Sequence, residues 1–268
     1  MKFKTIFLAF NILLIVSFVF IFFMPFFLFG WDYLGIFWRD SWYLPLGFAL
    51  VLCVADTWFA KNWKLFLLIE KEDWAGLRDY LENRIYVQGK ASSRSVRFLI
   101  NACVVLPDIA ALRRLALHLK EKSPLEFVRF GLELGLPFFQ ENNAEGMKAH
   151  FGALAENPRS PKRDWALWIL SFARLASGEA DLAREELVRL SRKEEDPLLG
   201  LLAAYLLLSY SGEEASRAAQ AGQALKEKYP SRSLWTPVIE EARKNLVVLV
   251  LGKLVEDALS WLYADETA

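Results

Sequence analysis

Asp73-Trp74-Ala75-Gly76-Leu77 opens a series that continues with Asp108-Ile109-Ala110-Ala111-Leu112 and Asn143-Ala144-Glu145-Gly146-Met147. Glu179-Ala180-Asp181-Leu182-Ala183 and Glu214-Ala215-Ser216-Arg217-Ala218 extend it. The closing residues stand at 77, 112, 147, 183 and 218, separations of 35, 35, 36 and 35. Each segment follows turn residues and leads into apolar residues at helical spacing, and a period of this length belongs to stacked helical hairpins. A hairpin of this kind cannot bury its apolar face alone, so it stacks on its neighbours and leaves one row of helices exposed along a binding face. The period therefore predicts an all-α solenoid of about five hairpins, spanning residues 63–235.

Working outward from the turns, each pair has its own apolar faces. Leu65, Leu68 and Ile69 precede the first turn, and Leu77, Tyr80 and Leu81 follow it. A polar linker from Gln88 to Ser95 leads to the second pair, where Phe98, Leu99, Ala102 and Cys103 precede Pro107-Asp108, and Leu112, Ala116 and Leu119 follow. The third pair turns at Asn142-Asn143 and carries Met147, Phe151 and Leu154. Trp168, Ser171 and Ala173 precede Ser177-Gly178 in the fourth, with Ala183, Leu187 and Leu190 after it. The fifth has Leu206 and Tyr210 before Ser211-Gly212, then Ala218, Gly222, Leu225 and Pro230. Pro124, Pro158 and Pro230 each follow a second helix, where proline ends one helix and can start the next. Arg192 to Asp196 reads as a solvated linker of mixed charge.

A small residue early in the second helix, an apolar one four later, another three beyond and then a proline resemble the tetratricopeptide repeat. Ala183, Leu187 and Leu190, and Ala218, Gly222, Leu225 and Pro230, carry the resemblance, whereas Leu77, Leu112 and Met147 place larger residues at the small position. It covers roughly residues 60 to 230. The layout of a membrane hairpin followed by such repeats is also similar to the bacterial HemY family. The resemblance implies a protein or peptide partner held in a groove. Counting back from each small position places Arg94, Arg97 and Asn101 in that groove from the second pair. Arg129 and Leu132 follow from the third, and Trp165, Trp168 and Phe172 from the fourth. Arginines there would grip a peptide carboxylate in bidentate fashion and tryptophans would act as anchors, the alternative being solvated arginines and tryptophans packed between hairpins.

Before the repeats, Thr5 to Phe29 carries no charge and exceeds a bilayer's hydrocarbon core in length, which predicts a membrane-spanning helix. A cleaved signal peptide, with Lys2 and Lys4 as its basic start, is the competing reading. Pro25 would kink its far end. Trp31, Tyr33, Phe37, Trp38, Trp42 and Tyr43, among Asp32, Arg39 and Asp40, suit a loop at headgroup level. Leu44 to Ala60 is a second, shorter apolar segment holding Asp56, a carboxylate expected to reach interfacial water or Lys61. Residues 1–62 thus read as a two-helix membrane anchor in contact with lipid. The basic residues flanking it favour both termini in the cytoplasm with the loop outside, so the expectation is an inner (cytoplasmic) membrane protein with cytoplasmic repeats; if the second segment does not span, the chain crosses once and the repeats change sides.

Residues 236–268 read as one last helix from Pro237 to about Tyr263, containing Leu246-Val247-Val248-Leu249-Val250-Leu251. It would cap the last hairpin, and its apolar excess would also suit docking or self-association.

Thirty-two basic residues balance thirty-two acidic ones, so no global field favours nucleic acid. Cys53 and Cys103 read as small buried hydrophobes. His118 and His150 fall in different repeats as surface or groove residues, and no metal, cofactor or catalytic motif is evident. The expectation is a membrane-anchored scaffold that is not an enzyme, the alternative being an accessory subunit of a membrane enzyme or envelope assembly.

Overall fold

The computed structural model describes residues 3–30, 35, 37–39 and 41–264, and every regular element among them is helical. Lys2, Trp31, Asp32, Tyr33 and Asp40, which the sequence assigns to the basic start and the loop, lie outside the described residues. The chain divides into two compact units, one ending at Val87 and the other beginning at Gln88.

The first unit contains α1 (Phe3–Phe29) and α2 (Tyr43–Glu70), both long and apolar enough to cross a membrane. Leu13, Phe20 and Phe27 on α1 and Leu46, Leu50 and Val54 on α2 are exposed, surface that is costly in water and at home in hydrocarbon. Where the two helices meet, Phe7 stacks on Phe59 with ring centroids 3.7 Å apart and Phe18 on Phe48 at 4.1 Å. The helical backbone of α1 continues through Pro25. Cys53, expected to be buried, is exposed, because α2 packs only a narrow stripe of its surface. Asp56 is exposed and no ion pair joins it to Lys61.

At roughly 1.5 Å per residue, α2 is about 42 Å long, more than the roughly 30 Å hydrocarbon core. Its final turns pack on α3 (Trp74–Glu82), with Leu65, Leu77 and Leu81 buried. The second apolar helix is thus also the first member of the first pair. That continuity moves the unit boundary from the expected 62/63 to 87/88.

The second unit begins with α4 (Ser93–Val105) and α5 (Ile109–Lys122). Three short helices follow, α6 (Pro124–Arg129), α7 (Gly131–Leu134) and α8 (Leu136–Gln140), then α9 (Ala144–Glu156). Next come α10 (Arg163–Ala176), α11 (Ala180–Ser191), α12 (Pro197–Leu207) and α13 (Glu213–Lys228). Each of the helices from α9 to α13 packs on its neighbours in sequence, and α10 also touches α12, as α11 touches α13.

The first four turns between paired helices share a backbone device. The N–H groups of Asp73, Asp108, Asn143 and Glu179 donate to the carbonyls of Leu68, Cys103, Phe138 and Arg174, each five residues earlier. That bond closes a helix when the residue before the donor is left-handed, as Glu72 (φ 53°), Asn142 (φ 50°) and Gly178 (φ 78°) are. Asp73, Asp108 and Asn143 then accept from the backbone N–H of Gly76, Ala111 and Gly146, capping the next helix. Just after each turn, Leu77, Leu112, Met147, Ala183 and Ala218 are all buried.

Two elements depart from the sequence reading. The first helix of the third pair is broken into α6, α7 and α8. Pro137 lacks the N–H that an unbroken helix needs, and Gly131 and Gly135 admit neighbouring side chains: a Cβ there would lie 2.5 Å from Leu154 Cδ2 and 2.2 Å from Phe151 Cζ. The expected single helix from Pro237 is likewise divided, into α14 (Thr236–Ala242), α15 (Leu246–Val250) and α16 (Gly252–Leu262). Asn245 starts α15 by accepting from the N–H of Val247 at 3.2 Å. The largest part of the cap is α16: Val255, Ala258, Leu259 and Leu262 are buried, α16 lies on α12, and Trp261 reaches Gly222, while α14 also touches α12.

Candidate functional site

The proposed groove residues do not share one environment. Leu132 (3 % exposed), Trp165 (8 %) and Trp168 (0 %) are core residues, so their assignment as ligand contacts is corrected. The cause is visible in α10, which is covered by α9 on one side and α11 and α12 on the other, so nearly its whole length from Trp165 to Ala173 is buried. Trp165 donates from Nε1 to Asp196 Oδ2 at 2.7 Å, and Trp168 stacks on the partly buried Phe172 at 5.8 Å between centroids. These rings hold hairpins together, the alternative that the sequence left open. Asp196 is correspondingly more than linker: it also caps α12 by accepting from the N–H of Leu199 at 3.1 Å. Lys193 pairs with Asp164, tying the same linker to α10.

Arg97, Asn101 and Arg129 are brought together. They line a cavity of about 550 Å³ with Phe130, Glu133, Pro161, Lys162, Lys244 and Leu246. Its walls come from α4, from α6 and α7, from the loop before α10 and from the segment between α14 and α15. Arg94 is exposed on α4 and outside this lining.

Four cations surround the cavity, yet three already have carboxylates. Arg129 lies 3.0 Å from Glu126 Oε1 and also donates to Ser93 Oγ, Lys162 lies 3.2 Å from Glu133, and Lys244 pairs with Glu241. Arg97 differs. Its guanidinium lies over the Phe130 ring, 5.9 Å from the centroid, and no carboxylate pairs with it among the described residues. The ring contact favours the cation there, and its N–H donors are open to an anion. Asn101, one turn further along α4, adds an amide that can donate and accept. The arrangement suits a carboxylate or other planar anion presented beside apolar surface.

The segment from Val238 to Val250 was not anticipated as part of this face. It lines the cavity just described, a second of about 680 Å³ next to Asp164, Trp165 and Leu198, and a third of about 190 Å³ next to Cys103, Val104 and Leu136. Val247 and Val248 anchor it in the core, whereas Leu249 and Val250 stay half exposed. The continuous apolar run at 246–251 was the available signal, since one capping face cannot bury every side of it.

His150 is half-buried on α9, among aromatic rings. It lies against Phe127, Phe138 and Phe151, with ring centroids 5.5, 5.5 and 5.0 Å away, and its Nε2 bonds the Gly131 carbonyl at 2.7 Å. Burial holds its pKa below the usual histidine value, against the smaller opposing effect of the Gly131 bond. Among the described residues no cluster of three or more His, Cys, Asp or Glu side chains is placed to hold a metal.

A family model described as an uncharacterised Treponema protein matches residues 111–264. An uncharacterized protein of Treponema pallidum (strain Nichols) is 26 % identical over 231 residues, covering 81 % of this chain and 73 % of that protein. No solved structure matches. The family match takes in Arg129, Lys162 and Lys244 and begins after Arg97 and Asn101.

Proposed function

We propose that this chain, which belongs to the uncharacterised Treponema protein family, is a membrane-anchored helical-repeat scaffold that binds and organises other proteins at the inner membrane. Helices α1 and α2 act as the anchor, and the pairs from α4 to α13 form the tetratricopeptide-like solenoid. The contacts of α10 with α12 and of α11 with α13 support that stacking, because they join like members of successive pairs. The repeats face the cytoplasm, and the protein works without catalysis or cofactor.

One observation carries the reading: Arg97 is held over Phe130 without a carboxylate, beside Asn101, in a cavity built from successive pairs. The partner presents an acidic side chain or terminal carboxylate to Arg97 while apolar neighbours rest on Ile100, Phe130 and Leu246. Anchoring raises the local concentration at which that contact forms. The test is retention of arrayed acidic, amidated and basic peptides by the full chain in lipid nanodiscs. Preferential retention of carboxylate-bearing peptides, reduced about tenfold or more by Arg97→Ala, is the expected result. Equal retention of all three classes, unaltered by Arg97→Ala, overturns the reading.

The second reading, an accessory subunit of a membrane enzyme or envelope assembly, draws on the exposed apolar Val105, Leu249 and Val250, the last two beside the 190 Å³ cavity. In that case a permanent subunit covers these residues.

A further inference from the structure

On the side formed by second helices, α5 and α9 leave a hollow of about 410 Å³ between them. Small residues create it: Ala116 on α5 faces Gly146, Ala149 and Ala153 on α9. Gly146 cannot grow, because a Cβ there would lie 2.4 Å from the Phe138 ring. Phe127 and Phe138 contribute aromatic surface beside the His150 ring, each 5.5 Å from it between centroids. The volume lies in the range of small-ligand sites, and an apolar interior with few polar groups is their usual character.

The charged residues that line the hollow are both basic. Its ionisable lining residues are Arg113, Lys120 and His150, and no Asp or Glu lines it. Arg113 is engaged by Glu141, but Lys120 is exposed and has no carboxylate partner among the described residues. An apolar body would fill the hollow while an anionic head met Lys120.

We propose that the hollow between α5 and α9 is a binding site for an alkyl carboxylate, one acyl chain ending in a free acid. It is separate from the cleft at Arg97 and stands or falls independently of it. The chain lies among Ala116, Ala149, Ala153 and the phenylalanine rings, and the carboxylate pairs with Lys120.

The test uses a diazirine-bearing alkyl carboxylate, with the alcohol of the same chain as control, added to the full protein in phosphatidylcholine nanodiscs and followed by mapping of the labelled peptides. Labelling on α5 and α9 by the acid, at least about fivefold over the alcohol, is expected. Ala153→Trp, which fills the hollow from an exposed position, should abolish it, and Lys120→Glu should reduce it about tenfold. Equal labelling by acid and alcohol overturns the proposal, as does labelling that Ala153→Trp leaves unchanged. A third contrary result is absence of label together with ready cross-linking of Leu117→Cys between two copies, which assigns the hollow to a second copy.

Discussion

Ser171 carries a hydroxyl that is buried without a hydrogen-bond partner among the described residues. Removing it takes away a desolvated polar group at little packing cost, so Ser171→Ala should leave the protein as stable or more stable by about 1 kcal/mol. Thermal or denaturant unfolding measures this, and a loss of stability would reveal an unseen partner for Oγ. His150 predicts a pH effect with a definite sign. Its pKa is lowered in the fold, so the unfolded chain takes up the proton first as pH falls. Stability should therefore be full above the ordinary value near 6.5 and decline as pH drops from there towards the folded pKa. Lys120 on α5 opposes protonation and the Gly131 carbonyl of α7 favours it, the burial effect being larger than either. His150→Gln should remove that part of the slope in unfolding measured between pH 7 and 5.

At the scale of elements, the turns were legible because their chemistry is local. An Asp or Asn that caps the next helix needs only its own neighbours, and the sequence period recurs as one shared hydrogen bond. The break within α6–α8 was not legible in the same way, because Gly131 and Gly135 acquire their meaning from Leu154 and Phe151 on α9. The groove assignments failed for a related reason. Counting along a repeat finds a helix face, but whether that face is open depends on what lies over it, and Trp165 and Trp168 are covered. Arg97 and Asn101 escaped because α4 borders a cavity there. Glycine substitutions separate local from tertiary causes. Gly135→Ala should cost about 2 kcal/mol or more, since the added carbon meets the Phe151 ring. Gly178→Ala has open space and should cost about 1 kcal/mol through its left-handed φ of 78° alone. Unfolding midpoints of the two variants provide the comparison, and equal costs would contradict the tertiary explanation for Gly135.

For the whole molecule, two continuities matter. The apolar helix α2 runs without interruption into the first helix pair, so that pair belongs to the same unit as the two long apolar helices. At the other end, the residues after 235 both close the last pair and line the face that carries the cleft. Trp235 donates from Nε1 to the Tyr263 hydroxyl at 2.9 Å, joining the start of this segment to its end. Deleting 252–268 removes the buried side chains of α16 from α12, whose residues from Leu198 to Ala204 are all buried. The expected outcome is aggregation or loss of cooperative unfolding in the purified deletion variant, checked by size-exclusion chromatography and thermal melts. A monodisperse, cooperatively folding product would show that α12 needs no cover.

The scaffold reading is tested most directly by a photo-crosslinking amino acid placed at position 101 of the full chain in its native membrane. The predicted result is an adduct with a second polypeptide at an acidic segment, reduced at least about fivefold by Arg97→Ala. Adducts confined to this chain's own Lys244 and Leu246, or an intermolecular adduct indifferent to Arg97→Ala, would contradict it.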